Sequence, residues 1–343
     1  MSGVWVVRAV AASFAAVMVA GCGTGSSKGS AGKANDSITV YSGQHEQTMA
    51  KLVGAFEKSA RVQVKLRSGD EATLANQVLQ EGGASPADVF VAENPPAMAV
   101  LDGRKLLAKV ASSTLAAMPS LYNPTSGDWV AVSARTAVMV YNQDKLAAGS
   151  LPTSLLDLAG PTWKGKVGFA PTETDFQPLV ATIIKTNGEA AARTWIDGLK
   201  MNGKVYDSNE SLVAAVNRGE VATGLIDHYY WYRLRDEVGP SVRAALHSFS
   251  PGDPGNLVDV SGAAILKSSR HHAAAQRFLA FLVSKPAQTI IATSESWEYP
   301  LAAGVTNTRL EVQLNQLRPP AVSIGDLGDG TQSLKLLQEA GLL

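Results

Sequence analysis

Cysteine is almost absent from this sequence. Cys22 is the only one in 343 residues, so no internal disulfide can form and stability has to come from packing. An excess of either charge is missing too: 30 basic and 30 acidic residues cancel to a formal net charge of zero. That balance argues against a nucleic-acid groove or a polybasic membrane patch and leaves a small partner. No apolar run is long enough to span a bilayer; the stretch 9–20, which follows the lone basic residue Arg8, is too short. Aromatic residues make up only 6% of the chain and there are five histidines. What is plentiful is hydrophobic content, 45% over a length that suits two domains better than one.

The short apolar stretch has the form of a signal peptide over residues 1–21, and Val19-Ala20-Gly21-Cys22 resembles the bacterial lipobox. In that motif cleavage precedes the cysteine, which is then lipidated. Residues 22–36 are rich in Gly, Ser, Lys and Ala and read as a flexible tether that places the protein on the outer face of the cell membrane. Gly25-Ser26-Ser27-Lys28-Gly29 satisfies the pattern G-x-S-x-G but lacks the strand, sharp turn and helix that would expose a nucleophile.

From residue 38 short β-rich runs alternate with helical periods, the pattern of α/β layers around largely parallel sheets. Strands are expected at 38–42, 62–66 and 87–92, with helices over 47–58 and 72–81, and Pro95 and Pro96 open the next helix or loop. Residues 129–141, which carry Arg135, and 257–266 read as two long extended segments suited to crossing between two lobes. A strand at 167–170 leads to Glu173, Thr174 and Asp175 at a helix start, where the acids cap well but make a poor anion pocket. Further helices are expected over 189–199, up to Arg218, over 270–284 and over 332–340; adjacent His271 and His272 are read as solvated. His45, Glu93 and Asp227 all fall at or just past the carboxyl end of a strand, the edge at which open α/β sheets bind ligands.

Residues 224–234 gather three of the eight tyrosines and one of the six tryptophans. A buried strand over 221–226 hands over to a helix over 229–237, so Tyr229 and Tyr230 sit at the junction. Near a helix start, side chains about 100° apart can bring two phenol oxygens to one point, which a continuing strand forbids. Converging phenols suit a hard, highly charged cation, ferric iron first among them, that can drive off the phenolic proton. Taken alone, the run is better read as an aromatic wedge packed on the helix beneath it.

Six stretches together resemble the bacterial ferric-ion-binding proteins, iron-delivering receptors of ABC importers. They are residues 38–45 (ITVYSGQH), 85–90 (SPADVF), 163–166 (WKGK), Asn209 with the helix to Gly219-Glu220-Val221, 229–232 (YYWY) and 261–264 (SGAA). The resemblance implies a two-lobed type II periplasmic-binding-protein fold with two crossing hinge strands and a ligand cleft between lobes. It further implies lobes of residues 37–137 with 260–305 and of 138–259 with 306–343, a monomer, and an ABC permease with its ATPase as partners. It assigns His45, Glu93, Tyr229 and Tyr230 as iron ligands, with an exogenous anion completing the shell and Asn209 beside it. Arg67 and Arg135 are candidates to offset charge or hold a small anion, or to form ordinary ion pairs.

One departure stands out. Glu173-Thr174-Asp175 falls where phosphate-assisted members carry a small hydroxylic loop, and Asp227 where they carry an amide. Three carboxylates there repel phosphate, which favours carbonate, citrate, water or an acidic side chain as the completing group. A same-fold receptor for an organic solute (a phosphonate, thiamine-like or polyamine ligand) remains the alternative, since fold alone does not set cargo. A zinc enzyme is the weaker one: His45-Glu46 begins H-E-x-x-H, but position 49 is methionine, and no catalytic set is present in the sequence.

Overall fold

A computed structural model describes residues 37–323, 325 and 327–343. The signal-peptide reading of residues 1–21 and the tether and lipidation readings of 22–36, Cys22 included, lie outside the described residues.

The first units follow the expected βαβ rhythm. Strands β1 (Ser37–Ser42), β2 (Gln63–Ser68) and β3 (Val89–Ala92) are parallel, with α1 (Glu46–Ala60) and α2 (Glu71–Glu81) between them. Helix α1 buries Met49, Leu52, Val53 and Phe56, an i, i+3, i+4, i+7 stripe that seats it on the sheet. Helix α2 is capped by Asp70, whose carboxylate accepts from the Thr73 N–H at 2.7 Å. Helix α3 (Pro95–Gly103) starts on a proline whose missing N–H is not needed there. Strand β4 (Leu107–Ala108) and the short α4 (Ser112–Leu115) complete this part.

Strand β5 (Trp129–Asn142) organises the rest. Up to Thr136 it pairs antiparallel with β10 (Val258–Leu266), and from Ala137 with β8 (Thr223–Asp227). One strand is therefore shared by two sheets, in the order β2-β1-β3-β10-β5-β8-β6-β7. The second sheet holds β6 (Val167–Phe169), β7 (Lys204–Val205) and β9 (Ala244–His247), with α5 (Phe176–Asn187), α6 (Glu189–Asn202), α7 (Asn209–Arg218) and α8 (His228–Val238) around it. After β10 the chain returns to the first sheet through α9 (His272–Leu282), α10 (Lys285–Thr293) and β11 (Tyr299–Pro300), which pairs with β5. The last helix, α11 (Thr331–Glu339), packs on α5 and α6. This is the two-lobed α/β architecture anticipated above, and both long extended segments are present.

His271 is exposed, as read, and makes one contact besides. Its Nδ1 lies 3.1 Å from the Oδ1 of buried Asp88, which also accepts from the Ser269 hydroxyl and the Thr39 N–H. His272 is exposed.

Candidate metal centre

Two pieces of backbone bring the candidate ligands together. On the first sheet, the loop after β1 approaches α2 so closely that a Cβ at Gly43 would stand 2.4 Å from the Glu71 Cβ. Gln44 then turns inward, its amide nitrogen donating to the Glu298 carboxylate at 3.3 Å and its Oε1 accepting from the His45 N–H at 2.7 Å. That bracing aims His45 at Glu93, the first residue after β3. On the second sheet, β8 ends at Asp227 and α8 begins at His228, which places Tyr229 and Tyr230 in the first turn. His228 is buried and neutral: burial depresses its pKa to about 3, the Thr136 N–H donates to Nδ1 at 3.3 Å, and Nε2 lies 3.0 Å from the Trp297 carbonyl.

The four candidates converge across the two sheets. The Tyr229 hydroxyl donates to Glu93 Oε1 at 3.1 Å, and the same oxygen lies 3.4 Å from His45 Nε2. The Tyr229 and Tyr230 rings stand 4.2 Å apart, and His45 meets Tyr229 edge-on at 5.2 Å. Burial pushes both phenols above their ordinary range, with Glu93 adding to this at Tyr229 and Asp175 at Tyr230. Both therefore stay protonated until a strong cation arrives to reverse the balance. Among the described residues no three His, Cys, Asp or Glu side chains form a metal cage, so a cation held here needs the phenol oxygens.

An acidic wall flanks the tyrosines. Asn209 donates from its backbone to Glu173 Oε1 at 3.2 Å and from Nδ2 to Asp175 Oδ2 at 2.8 Å. Thr174 Oγ1 accepts from Asn94 Nδ2 at 3.0 Å. Burial pushes Asp175 up to about 7 and raises Glu173, while Asp227 is held well above the usual carboxylate range by burial and by Asp175. Glu71, at the start of α2, is likewise pushed up to about 7 by burial although Asn94 donates to both its oxygens.

The two arginines part company. Arg135 is wholly buried, with Nε 3.2 Å from Asp227, Nη1 3.5 Å from Glu298 and Nη2 3.6 Å from Asp259. Its Nη2 also donates to Asn94 Oδ1 at 2.6 Å and to the Glu93 carbonyl. Its two Nη groups are thus engaged by the protein, while Nε faces Asp227 as an ion pair without a hydrogen bond, and the guanidinium offsets charge at the base of the site. Arg67 lies elsewhere, exposed on β2 with its guanidinium 5.1 Å from the Tyr41 ring, and does not join the group. Gln44, Glu71, Asn94, Arg233 and Glu298 are site residues that sequence reasoning missed. Gln44 and Asn94 carried a signal as neighbours of His45 and Glu93, and Arg233 as part of the aromatic stretch 224–234.

Asp175 gives a pH test. Its folded pKa is raised from 3.8 to about 7, so the folded chain keeps a proton that the unfolded chain loses. The stability this proton contributes is complete below the unfolded value and is lost as pH rises to about 7. His228 acts in the opposite sense below pH 6.5, so the informative comparison is between native protein and Asp175→Asn. The iron-free variant is expected to match the native urea midpoint near pH 3 and to exceed it progressively from about pH 4 up to about pH 7. A difference that stays constant over that range would overturn the assignment.

Oxygen and nitrogen donors at strand ends, gathered where two α/β lobes share a strand, define a two-lobed solute receptor of the type II periplasmic-binding fold. Residues 84–318 match the family described as bacterial extracellular solute-binding protein, and the chain belongs to that family. It is 39% identical over 314 residues to the Fe(3+)-binding periplasmic protein of Serratia marcescens, covering 91% of this chain and 93% of that one. It is 40% identical over 308 residues to the major ferric iron-binding protein of Neisseria meningitidis serogroup B, covering 89% and 93%. Among solved structures, iron-bound HitA from Pseudomonas aeruginosa superposes with a TM-score of 0.85 at 40% identity, covering 89% of this chain and 99% of that one. The Trichodesmium IdiA (FutA) protein in complex with iron and citrate superposes with a TM-score of 0.80 at 26% identity, covering 89% and 99%.

Proposed function

We propose that this protein is an extracytoplasmic receptor that captures Fe(III) between its lobes and delivers it to an ABC importer. The observation that carries the reading is the meeting of the Tyr229 hydroxyl, adjacent Tyr230, the Glu93 carboxylate and the His45 imidazole across two sheets. Two phenols, a carboxylate and one imidazole are a donor set for a hard trivalent cation rather than for an organic solute. Tyr229 and Tyr230 capture iron on one lobe, and hinge closure brings His45 and Glu93 from the other. The lobes in this reading are residues 37–137 with 260–305 and residues 138–259 with 306–343. The partition of strands about β5 and the packing of α11 on α5 and α6 support it.

The test is a visible absorption titration of the mature protein with ferric citrate. A stoichiometric coloured phenolate-to-iron band is expected, and a protein that stays colourless with carbonate and with phosphate supplied would sink the reading. Glu46 is exposed at the start of α1, so Glu46→Ala should leave the titration unchanged. A shift in that variant would move the site away from the four residues named.

The completing anion in this reading is carbonate or citrate rather than phosphate, because Glu173, Asp175 and Asp227 already hold the space with carboxylates. Iron loaded with phosphate as sole added anion should show no affinity gain over iron loaded without it, whereas carbonate or citrate should give one. A phosphate-dependent gain would reverse the order. The reading also anchors the protein through lipid on Cys22; a Cys22→Ser form that still partitions with membranes would remove the anchor.

A further inference from the structure

Arg233 stands one turn after Tyr229 on α8, so the two share a helix face. Its guanidinium lies 4.6 Å from the Tyr229 ring centroid and 6.0 Å from that of Tyr230. From there it reaches the other sheet's residues twice: Nε donates to the Glu295 carbonyl at 3.3 Å, and Nη2 lies 3.1 Å from His45 Nε2. A guanidinium has no lone pair and only donates, so Nε2 must be the acceptor and His45 is a neutral ring with its proton on Nδ1. The 3.4 Å approach of Glu93 Oε1 to the same nitrogen is then a contact between two acceptors, not a hydrogen bond. An imidazole nitrogen has one in-plane lone pair, and metal ligation uses that same pair. Arg233 and a metal ion cannot both have it.

We infer that Arg233 is a built-in occupant of the His45 ligand position, holding Nε2 whenever the lobes are closed without iron and giving way when iron is bound. The inference rests on the ferric-receptor reading. Iron meets the phenols first; closure then brings Glu93 to it, and His45 turns to it only after the Arg233 N–H lets go. On release the order reverses: Arg233 recaptures Nε2 as soon as the Fe–N contact lengthens, so the histidine leaves for a waiting donor rather than an unpaired state. Arg233 is thus a positioning residue that speeds iron release through His45. Its stacking on the two phenols is a separate contact that does not depend on His45.

A double-mutant cycle separates the two. The decay of the visible band after adding excess chelator is followed in native protein, Arg233→Met, His45→Ala and the double variant; Met keeps an apolar stem on the tyrosine rings. Arg233→Met is expected to slow iron loss about tenfold in the native background and to change it less than about twofold in the His45→Ala background, a coupling of about 1.0–1.4 kcal/mol. Arg233→Lys, which keeps a donor and a charge, should recover part of the native rate. Equal effects in both backgrounds, or faster loss in Arg233→Met, would overturn the inference while leaving the iron site standing. A colourless native protein would remove the ferric reading and this inference together. Should Arg233→Met fold poorly, Arg233→Lys carries the same comparison: a His45-independent effect overturns the inference.

Discussion

Replacing Tyr230 by Phe is expected to lower ferric affinity by more than about 100-fold, beyond the 10–100-fold that loss of a supporting group costs a metal site, and to abolish most of the visible band. The change removes one oxygen and leaves the ring, which packs 4.2 Å from Tyr229, so the fold has little reason to respond. What is lost is specific: each phenol supplies one of the two hard phenolate oxygens of the proposed donor set, which His45 and Glu93 complete. Tyr229→Phe should be at least as damaging, because its hydroxyl also donates to Glu93 at 3.1 Å and holds that carboxylate toward the site. Circular dichroism and a urea midpoint on the iron-free variants check the fold, and the titration reads the site. Native affinity in Tyr230→Phe would show that the paired tyrosines are an aromatic wedge after all.

The residues that report themselves in sequence are those whose placement is local. The handover from β8 to α8 at Asp227 and His228 is encoded by a buried β-rich run meeting a helical period, and the phenols follow from it. His45 and Glu93 are equally legible as residues just beyond strand ends. Arg233 lies inside the most conspicuous stretch of the chain, yet its partner is 188 residues away, and no spacing predicts that contact. Arg67 and Arg135 look alike as single arginines on extended runs. They differ because β2 is the terminal strand of the sheet whereas β5 is shared by two sheets and buried almost throughout. The contact of exposed His271 with Asp88 is hidden for the same reason, because Asp88 comes from a loop 183 residues earlier.

Arg135 is the position at which a single substitution should cost the most stability. Among the described residues its guanidinium is the one cation paired with Asp227, Asp259 and Glu298, and it also holds the Glu93 carbonyl and Asn94. Arg135→Met keeps the stem's volume and removes the charge, leaving buried carboxylates without their partner; breaking a buried pair in this way costs about 3–5 kcal/mol. The loss should depend on pH, and its sign follows from the carboxylates. Burial already holds Asp259 at about 6 and Asp227 well above the carboxylate range, while Arg135 pulls both down. Without it both rise further, so the variant gains protons on folding and recovers stability as pH falls. The deficit in urea midpoint is therefore expected to be larger near pH 8 than near pH 5, and Asp227→Asn in the same chain should shrink it at pH 8. Because Arg135 bonds the backbone that presents Glu93 and pairs with the residue that starts the tyrosine helix, iron affinity should fall at the same time. A small loss, equal at both pH values, would mean that the carboxylates are neutral without Arg135, and that the centre of the hinge is held by packing rather than by charge.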